Sequence, residues 1–340
     1  MSGKGAQVDA HACKLGALSH SCRTTTVSSN LSKTSGGLSA PIDLARVRNL
    51  FADPTRIVES RFLRREVASR MHERLSLIKI APNLVLDAGC GEGGDLASLQ
   101  KHFPMATLLG LDASLGMLRQ AHNNQSAALS AVQRLLRQWL PSKIGMRKWS
   151  QAALLAGNFA QLPLRHNAAD LVWSNLALHW HPQPDSVFAE WRRILRQDGL
   201  LMFSCFGPDT FKELRAAFAA VDNESHTLPF VDMHDFGDML VDVGFSTPVM
   251  DMETLTVTYS SVEKLMMDVR AWGGNPLDTR SRGLLGRRAW QRVVDILQQG
   301  RREDGTIPLT FEVIYGHAFR PASRITSSGE SIVRFDLPRK

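Results

Sequence analysis

L-V-L-D-A-G-C-G-E-G, residues Leu84–Gly93, decides the fold. An apolar run reads as a strand and ends in Asp87, and Gly89, Gly91 and Gly93 follow at alternate positions. Glycine lets a backbone bend tightly and approach a bulky ligand where a Cβ would collide. The spacing is G-x-G-x-G. A dinucleotide site needs G-x-G-x-x-G, and no Lys-Ser/Thr follows that would make a phosphate-cradling loop. Asp87 stands ahead of the glycines, where it suits a cationic amine and opposes a phosphate.

Leu108–Asp112 (L-L-G-L-D) reads as a second buried strand, closed by Asp112 with Ala113 beside it. A carboxylate at the end of a second strand can accept hydrogen bonds from both hydroxyls of a ribose. An amine partner at Asp87 and a ribose partner at Asp112 describe a ligand with an amino-acid end and an adenosine end. S-adenosylmethionine (SAM) is such a ligand.

The chain has 340 residues, 44% of them hydrophobic, enough for one large domain with a sizeable core. Its four cysteines, Cys13, Cys22, Cys90 and Cys205, lie far apart with no metal-ligand spacing. They point to a reducing compartment and no bound metal; Cys90 reads as a small space-filler in the turn. No apolar stretch is long enough to span a bilayer. Residues 1–41 are rich in Ser, Thr and Gly and poor in acids, which is the composition of a disordered tail. Lacking a secretory apolar core and nearly lacking Arg, they argue for a cytoplasmic protein.

The net charge of +7 and the pI near 9.5 imply an anionic partner. A basic insertion, residues 123–152, carries Arg134, Arg137, Lys143, Arg147 and Lys148 without a single acid. Leu129, Val132, Leu136 and Trp139 fall at helical spacing within it, so a docked helix with its arginines outward is expected. A second basic run includes Arg270, Arg287, Arg288 and Arg292. No aromatic-interleaved basic motif accompanies either run, which leaves nucleic acid out and favours an acidic protein.

Residues 42–80 read as helical, with Phe62, Val67, Met71 and Leu75 near one face, until Pro82. Helices are expected after the glycine turn through Leu96, Leu99 and Phe103, and from the N-cap Ser114 through Met117 and Leu118. Strands follow at Ala153–Ala156, Asp170–Asn175 and Leu200–Phe206, and Thr210 with Glu213 matches a capping box. Further on, a helix runs through Phe236, Met239 and Leu240, a strand over Leu255–Tyr259, and helices over Ser261–Ala271 and Arg287–Gln298. Leu309–Phe319 alternates as a closing strand. The sum is an α/β fold: a doubly wound, mainly parallel seven-stranded Rossmann-like sheet over residues 81–320. N-terminal helices (42–80), the basic helical insertion, a terminal antiparallel hairpin and a C-terminal tail (321–340) complete it.

In such a sheet the ligand lies beyond the carboxyl ends of the strands. That gathers Asp87–Gly93, Asp112, the turn Gly157–Phe159 and Asn175–Trp180 around one cleft. Asn158 is placed to accept a hydrogen bond from the adenine amino group; Phe159 either packs on the adenine or belongs to the core. These residues, with Gly157–Pro163 and D-L-V-W-S-N-L-A-L-H-W at Asp170–Trp180, resemble the class I SAM-dependent methyltransferases. More narrowly, W-S-N-L-A-L-H-W (Trp173–Trp180) and P-L-T-F-E-V-I-Y-G (Pro308–Gly316) resemble the malonyl-acyl carrier protein O-methyltransferases of biotin synthesis. G-P-D-T-F-K-E-L-R (Gly207–Arg215) and F-L-R-R-E-V-A-S-R (Phe62–Arg70) also resemble a complex I assembly factor implicated in arginine hydroxylation. Asn158, where methyltransferases usually have Asp, and the long insertion depart from the pattern.

The biotin-pathway resemblance implies transfer of a methyl group from SAM to the free carboxylate of a malonyl thioester, giving a methyl ester. A malonyl carboxylate is already ionised at neutral pH, so no strong base is required, which accounts for the lack of a catalytic dyad. The protein would align the reactants and desolvate the anion. An arginine should hold the carboxylate, and Arg270 is the candidate; a surface ion pair is the alternative for it. His179 is a candidate substrate contact or base, or a packing residue of the cleft. An acidic acyl carrier protein as partner would explain the basic runs, with Arg134, Arg137, Arg147, Lys148 and the helix around Arg287–Arg292 as docking candidates. The rival resemblance implies an assembly factor; a methyltransferase for another small acid is a third reading.

Overall fold

A computed structural model describes residues 41–128, 151–280, 283 and 285–322. The expected helix around Leu129–Trp139 and the basic side chains Arg134, Arg137, Lys143, Arg147 and Lys148 lie outside the described residues, as do residues 1–40 and 323–340 of the two tails.

Seven strands form one sheet in the order β3-β2-β1-β4-β5-β7-β6. They are β1 (Leu84–Ala88), β2 (Thr107–Asp112), β3 (Ala153–Ala156), β4 (Ala169–Asn175), β5 (Leu195–Phe206), β6 (Ser246–Tyr259) and β7 (Ile307–Phe319). The first five run parallel; β7 lies antiparallel between β5 and β6. The reversal of strand order beside β1 opens the crevice into which the glycine turn projects. The last two strands are no tight hairpin, because two helices intervene between Tyr259 and Ile307.

Strand alternation sorts the core into two layers. Leu171, Trp173, Leu200 and Met202 face one cluster, while Val172, Leu201 and Phe203 face the other. The first layer is covered by α2 (Arg61–Ser76), which buries Leu63, Val67, Met71 and Leu75 at every fourth residue. Phe62, expected on that face, is exposed and Leu63 takes its place. The second layer packs on α5 (Pro184–Ile194) and α7 (Met233–Val243).

The N-terminal segment is not one continuous helix. Asp43 caps a short α1 (Leu44–Leu50), and Asp53-Pro54 then imposes a single 3-10 turn (Pro54–Ile57) before α2 begins. The other helices are α3 (Leu96–His102), α4 (Leu115–Ala128), α6 (Lys212–Ala219), α8 (Val262–Ala271) and α9 (Arg287–Gln299). Ser114 does cap α4, accepting from Met117 N at 3.3 Å. The capping box at Thr210 and Glu213 does not form. Phe211 enters α6 left-handed at φ 64°, Thr210 Oγ1 donates to Glu312 O, and Glu213 takes the Thr310 N–H on β7. On α9 Arg287, Arg288 and Arg292 are exposed while Val293, Val294 and Leu297 are buried, so its basic side is solvated.

One contact sets the height of the N-terminal segment over the sheet. Ser114 Oγ donates to Phe51 O at 2.7 Å, and a Cβ on Gly116 would lie 2.1 Å from Ala52 O. A backbone oxygen cannot swing aside as a side chain can. Gly116→Ala is therefore expected to cost about 1–3 kcal/mol in denaturant unfolding and to speed proteolysis within residues 44–57.

Candidate active site

Leu111 O accepts from both Gly89 N (2.8 Å) and Cys90 N (2.9 Å), which curls the chain back as it leaves β1. Gly89 has φ +84°, and a Cβ there would meet the Ala177 Cβ at 2.4 Å. The neighbour that demands glycine is thus the loop after β4 as well as any ligand. Asp112 ties the two turns together, its Oδ2 accepting from Gly91 N at 2.9 Å and its Oδ1 from Ser114 N at 2.8 Å. Each oxygen retains a lone pair for a ribose hydroxyl.

These turns form the floor of a cavity of about 870 Å³, roofed by Val47, Phe51, Arg61 and Arg64 from the N-terminal segment. Asp87, Gly89, Gly91, Gly93, Asp112, Ala113, Phe159, Asn175 and His179 all line it. Asn158 does not. Its Oδ1 accepts from Ala160 N at 2.9 Å, closing its own turn. Phe159 lines the cavity and also packs against Trp191, with ring centroids 6.0 Å apart.

Asp95 belongs to the site although the sequence reading stopped two residues short of it. Its Oδ2 accepts from Trp173 Nε1 (2.9 Å) and Asn175 Nδ2 (3.0 Å). The Asn175 side chain makes three hydrogen bonds among the described residues, donating also to Arg64 O and accepting from Ser204 Oγ at 2.9 Å. The one signal available was an acid directly after G-E-G-G, at the mouth of a helix. Three carboxylates therefore share the floor. Burial pushes Asp87 and Asp95 above the ordinary carboxylate range, and Asp87 rises further because the other two acids stand beside it. Burial raises Asp112 as well, against the backbone N–H groups that favour its charge. Packed like charges of this kind are relieved by a cationic ligand.

Two cations sit opposite, at the start of α2. Arg61 is bidentate to Glu92, with Nε 2.7 Å from Oε1. Arg64 donates to Ser60 Oγ (2.8 Å) and Ile57 O (3.0 Å), and lies 3.9 Å from the same Glu92. Burial draws Arg64 down to about 10.

His179 is buried among Trp180, Phe206 and Phe230. Burial lowers its pKa to about 3, which favours a neutral imidazole near neutrality. It also lines a second chamber of about 180 Å³, shared through Trp180, Phe206 and Trp272. Arg270 borders only that chamber; it is exposed and makes no ion pair among the described residues. Cys90 and Cys205 are buried free thiols held protonated by burial. Among the described residues no helix is long and apolar enough to cross a membrane.

A family described as methyltransferase domain matches residues 86–203, from β1 through β5, the part that carries the glycine turn and its acids. Solved structures share the fold at low identity. The YcgJ protein of Bacillus subtilis is 12% identical with a TM-score of 0.50, covering 74% of this chain and 98% of that one. A Bacillus halodurans protein is 17% identical with a TM-score of 0.51, covering 75% and 99%. Fold and site define a SAM-dependent methyltransferase. The floor suits that cofactor: three carboxylates meet a ligand that carries an ammonium and a sulfonium. Within this class the chain belongs to the malonyl-[acyl-carrier protein] O-methyltransferase family. The relative from Laribacter hongkongensis is 45% identical over 80% of this chain and 89% of its own. That from Nitrosospira multiformis is 44% identical over 83% and 91%.

The buried neutral imidazole of His179 has a consequence for stability. Below pH 6.5 the unfolded chain takes up a proton that the folded site refuses, so stability present above that pH is lost as pH falls toward 3. His179→Phe removes this linkage. Between pH 7 and pH 5, urea unfolding of the wild type is expected to lose about 2 kcal/mol more than that of the variant.

Proposed function

We propose that this chain methylates the free carboxylate of a malonyl group carried as a thioester on an acidic acyl carrier protein, in the cytoplasm, at the step that opens pimeloyl and biotin synthesis. The malonyl-carrier substrate comes from the names of its relatives. In the geometry, the observation that carries the reading is the wall of His179, Trp180, Phe206 and Trp272 shared by an acid-floored cavity and a smaller aromatic chamber. One side suits a cationic cofactor and the other an acyl group.

Asp87 and Asp95 would face the cofactor's amino-acid end, Asp112 with Ala113 the ribose, and Phe159 the adenine, while Gly89, Gly91 and Gly93 keep the floor low. Asn175 would act by fixing Asp95. Bound SAM supplies a methyl group on a sulfonium: a carboxylate oxygen forms the new C–O bond as the C–S bond breaks, and no proton moves. The chain's contribution is to exclude water and align the anion. A neutral His179 fits that task as a hydrogen-bond partner. Arg270 and the exposed arginines of α9 would attract the acidic carrier.

Expression in a bacterium lacking its own biotin-pathway methyltransferase is expected to restore growth on biotin-free medium, and Asp87→Ala to abolish it. Failure to grow with soluble, SAM-binding protein overturns the reading. Asp95→Asn is expected to weaken SAM and S-adenosylhomocysteine alike, by at least about tenfold, since both carry the ammonium that Asp95 would face. Unchanged affinities in titration calorimetry would exclude a charge role for Asp95.

A further inference from the structure

We infer that the junction of the two chambers, bounded by Arg64, Trp272 and His179, is the seat of the substrate's free carboxylate, with Arg64 as its charge partner. The inference rests on the malonyl-carrier reading and assigns a role that Arg270 was expected to fill.

Three observations converge there. Arg64 is a partly buried guanidinium with no carboxylate at hydrogen-bond distance among the described residues: Glu92, at 3.9 Å, is held in two contacts by Arg61, and Asp95 acts on it only through space. Among the described residues the Arg64 Nε makes no hydrogen bond, while Nη1 and Nη2 go to Ser60 Oγ and Ile57 O. Second, the Arg64 guanidinium carbon lies 5.9 Å from the ring centroid of Trp272, which lines both chambers, so the cation stands at the passage between them. Third, two residues that line both chambers carry buried polar atoms with no hydrogen-bond partner among the described residues, Trp272 Nε1 and His179 Nδ1, and the residues are only 6% and 8% exposed. A buried indole N–H or imidazole nitrogen without a partner is costly, and native proteins tolerate such atoms mainly where a ligand or water completes them.

A carboxylate answers all three, because it accepts only, offers about four lone-pair sites and brings the missing charge. Arg270 is less suited. It is exposed, so water competes for its donors, and it borders only the smaller chamber. The arrangement also gives release a direction. Methylation turns the anion into a neutral ester, and Arg64 loses its partner at the moment the product forms.

The test uses full-length enzyme saturated with S-adenosylhomocysteine, so that no turnover occurs, and two probes: malonyl-acyl carrier protein and its methyl ester. Wild type is expected to bind the malonyl form at least tenfold tighter than the ester. Arg64→Gln should weaken the malonyl form about ten- to hundredfold and leave the ester within about twofold, with Arg64→Lys between. A merely structural role would weaken both probes together, and that result overturns the assignment. So does a ratio that survives in Arg64→Gln and collapses in Arg270→Gln. Should Arg64→Gln fail to hold S-adenosylhomocysteine, Trp272→Phe decides: a severalfold fall in the ratio supports the niche and an unchanged ratio rejects it. Wild type that does not methylate malonyl-carrier at all overturns the functional reading itself; wild type that does, with an unchanged ratio in the variants, overturns this inference alone.

Discussion

The Asp112 carboxylate is the fastening on which the site depends. It accepts the N–H of Gly91 in one βα turn and of Ser114 in the next, so two loops that share no covalent neighbour are held at one height. From Ser114 the tie continues through Oγ to Phe51 O and reaches the N-terminal segment that roofs the cavity. Floor and roof are thus linked by a short run of hydrogen bonds through one residue pair. Charge-assisted bonds to backbone N–H groups are among the stronger available, and they keep Asp112 from being only a ligand contact.

Charge divides across the cavity. The floor concentrates three carboxylates whose mutual repulsion and burial disfavour ionisation, and the roof presents Arg61 and Arg64 at the start of α2. Only Arg61 is fully matched, by Glu92. The protein has accepted unfavourable burial on both sides. Such strain is sensible where the missing partners are ligands of opposite sign, a sulfonium below and a carboxylate above.

Much of this was legible in the sequence. The glycine turn, the acid that closes β2 and the cap at Ser114 follow from local rules, since each depends on residues within a few positions. What was missed depends on distant neighbours. Glu213 abandons a capping box because Thr310, far along the chain on β7, offers an N–H. The first half of β6 escaped notice because it is an edge strand with Pro248 and charged residues, held by Arg70 and Arg74 of α2 reaching Glu253. Asp95 carries no motif of its own; only the arrival of Trp173 and Asn175 from β4 makes it part of the floor.

The absence of an obvious acid–base pair has the same physical root as these long-range dependencies. A carboxylate and a sulfonium react without proton transfer, so rate enhancement must come from alignment and from removal of water. Those are properties of walls. His179, kept neutral by a shell of Trp180, Phe206 and Phe230, is such a wall element, because a charged imidazole would hold water in the passage. The aromatic ring of residues around it comes from the loop after β4, the end of β5, the segment before α7 and the residue closing α8. Four separated stretches of chain therefore build one dry surface, and no single stretch of sequence could have announced it.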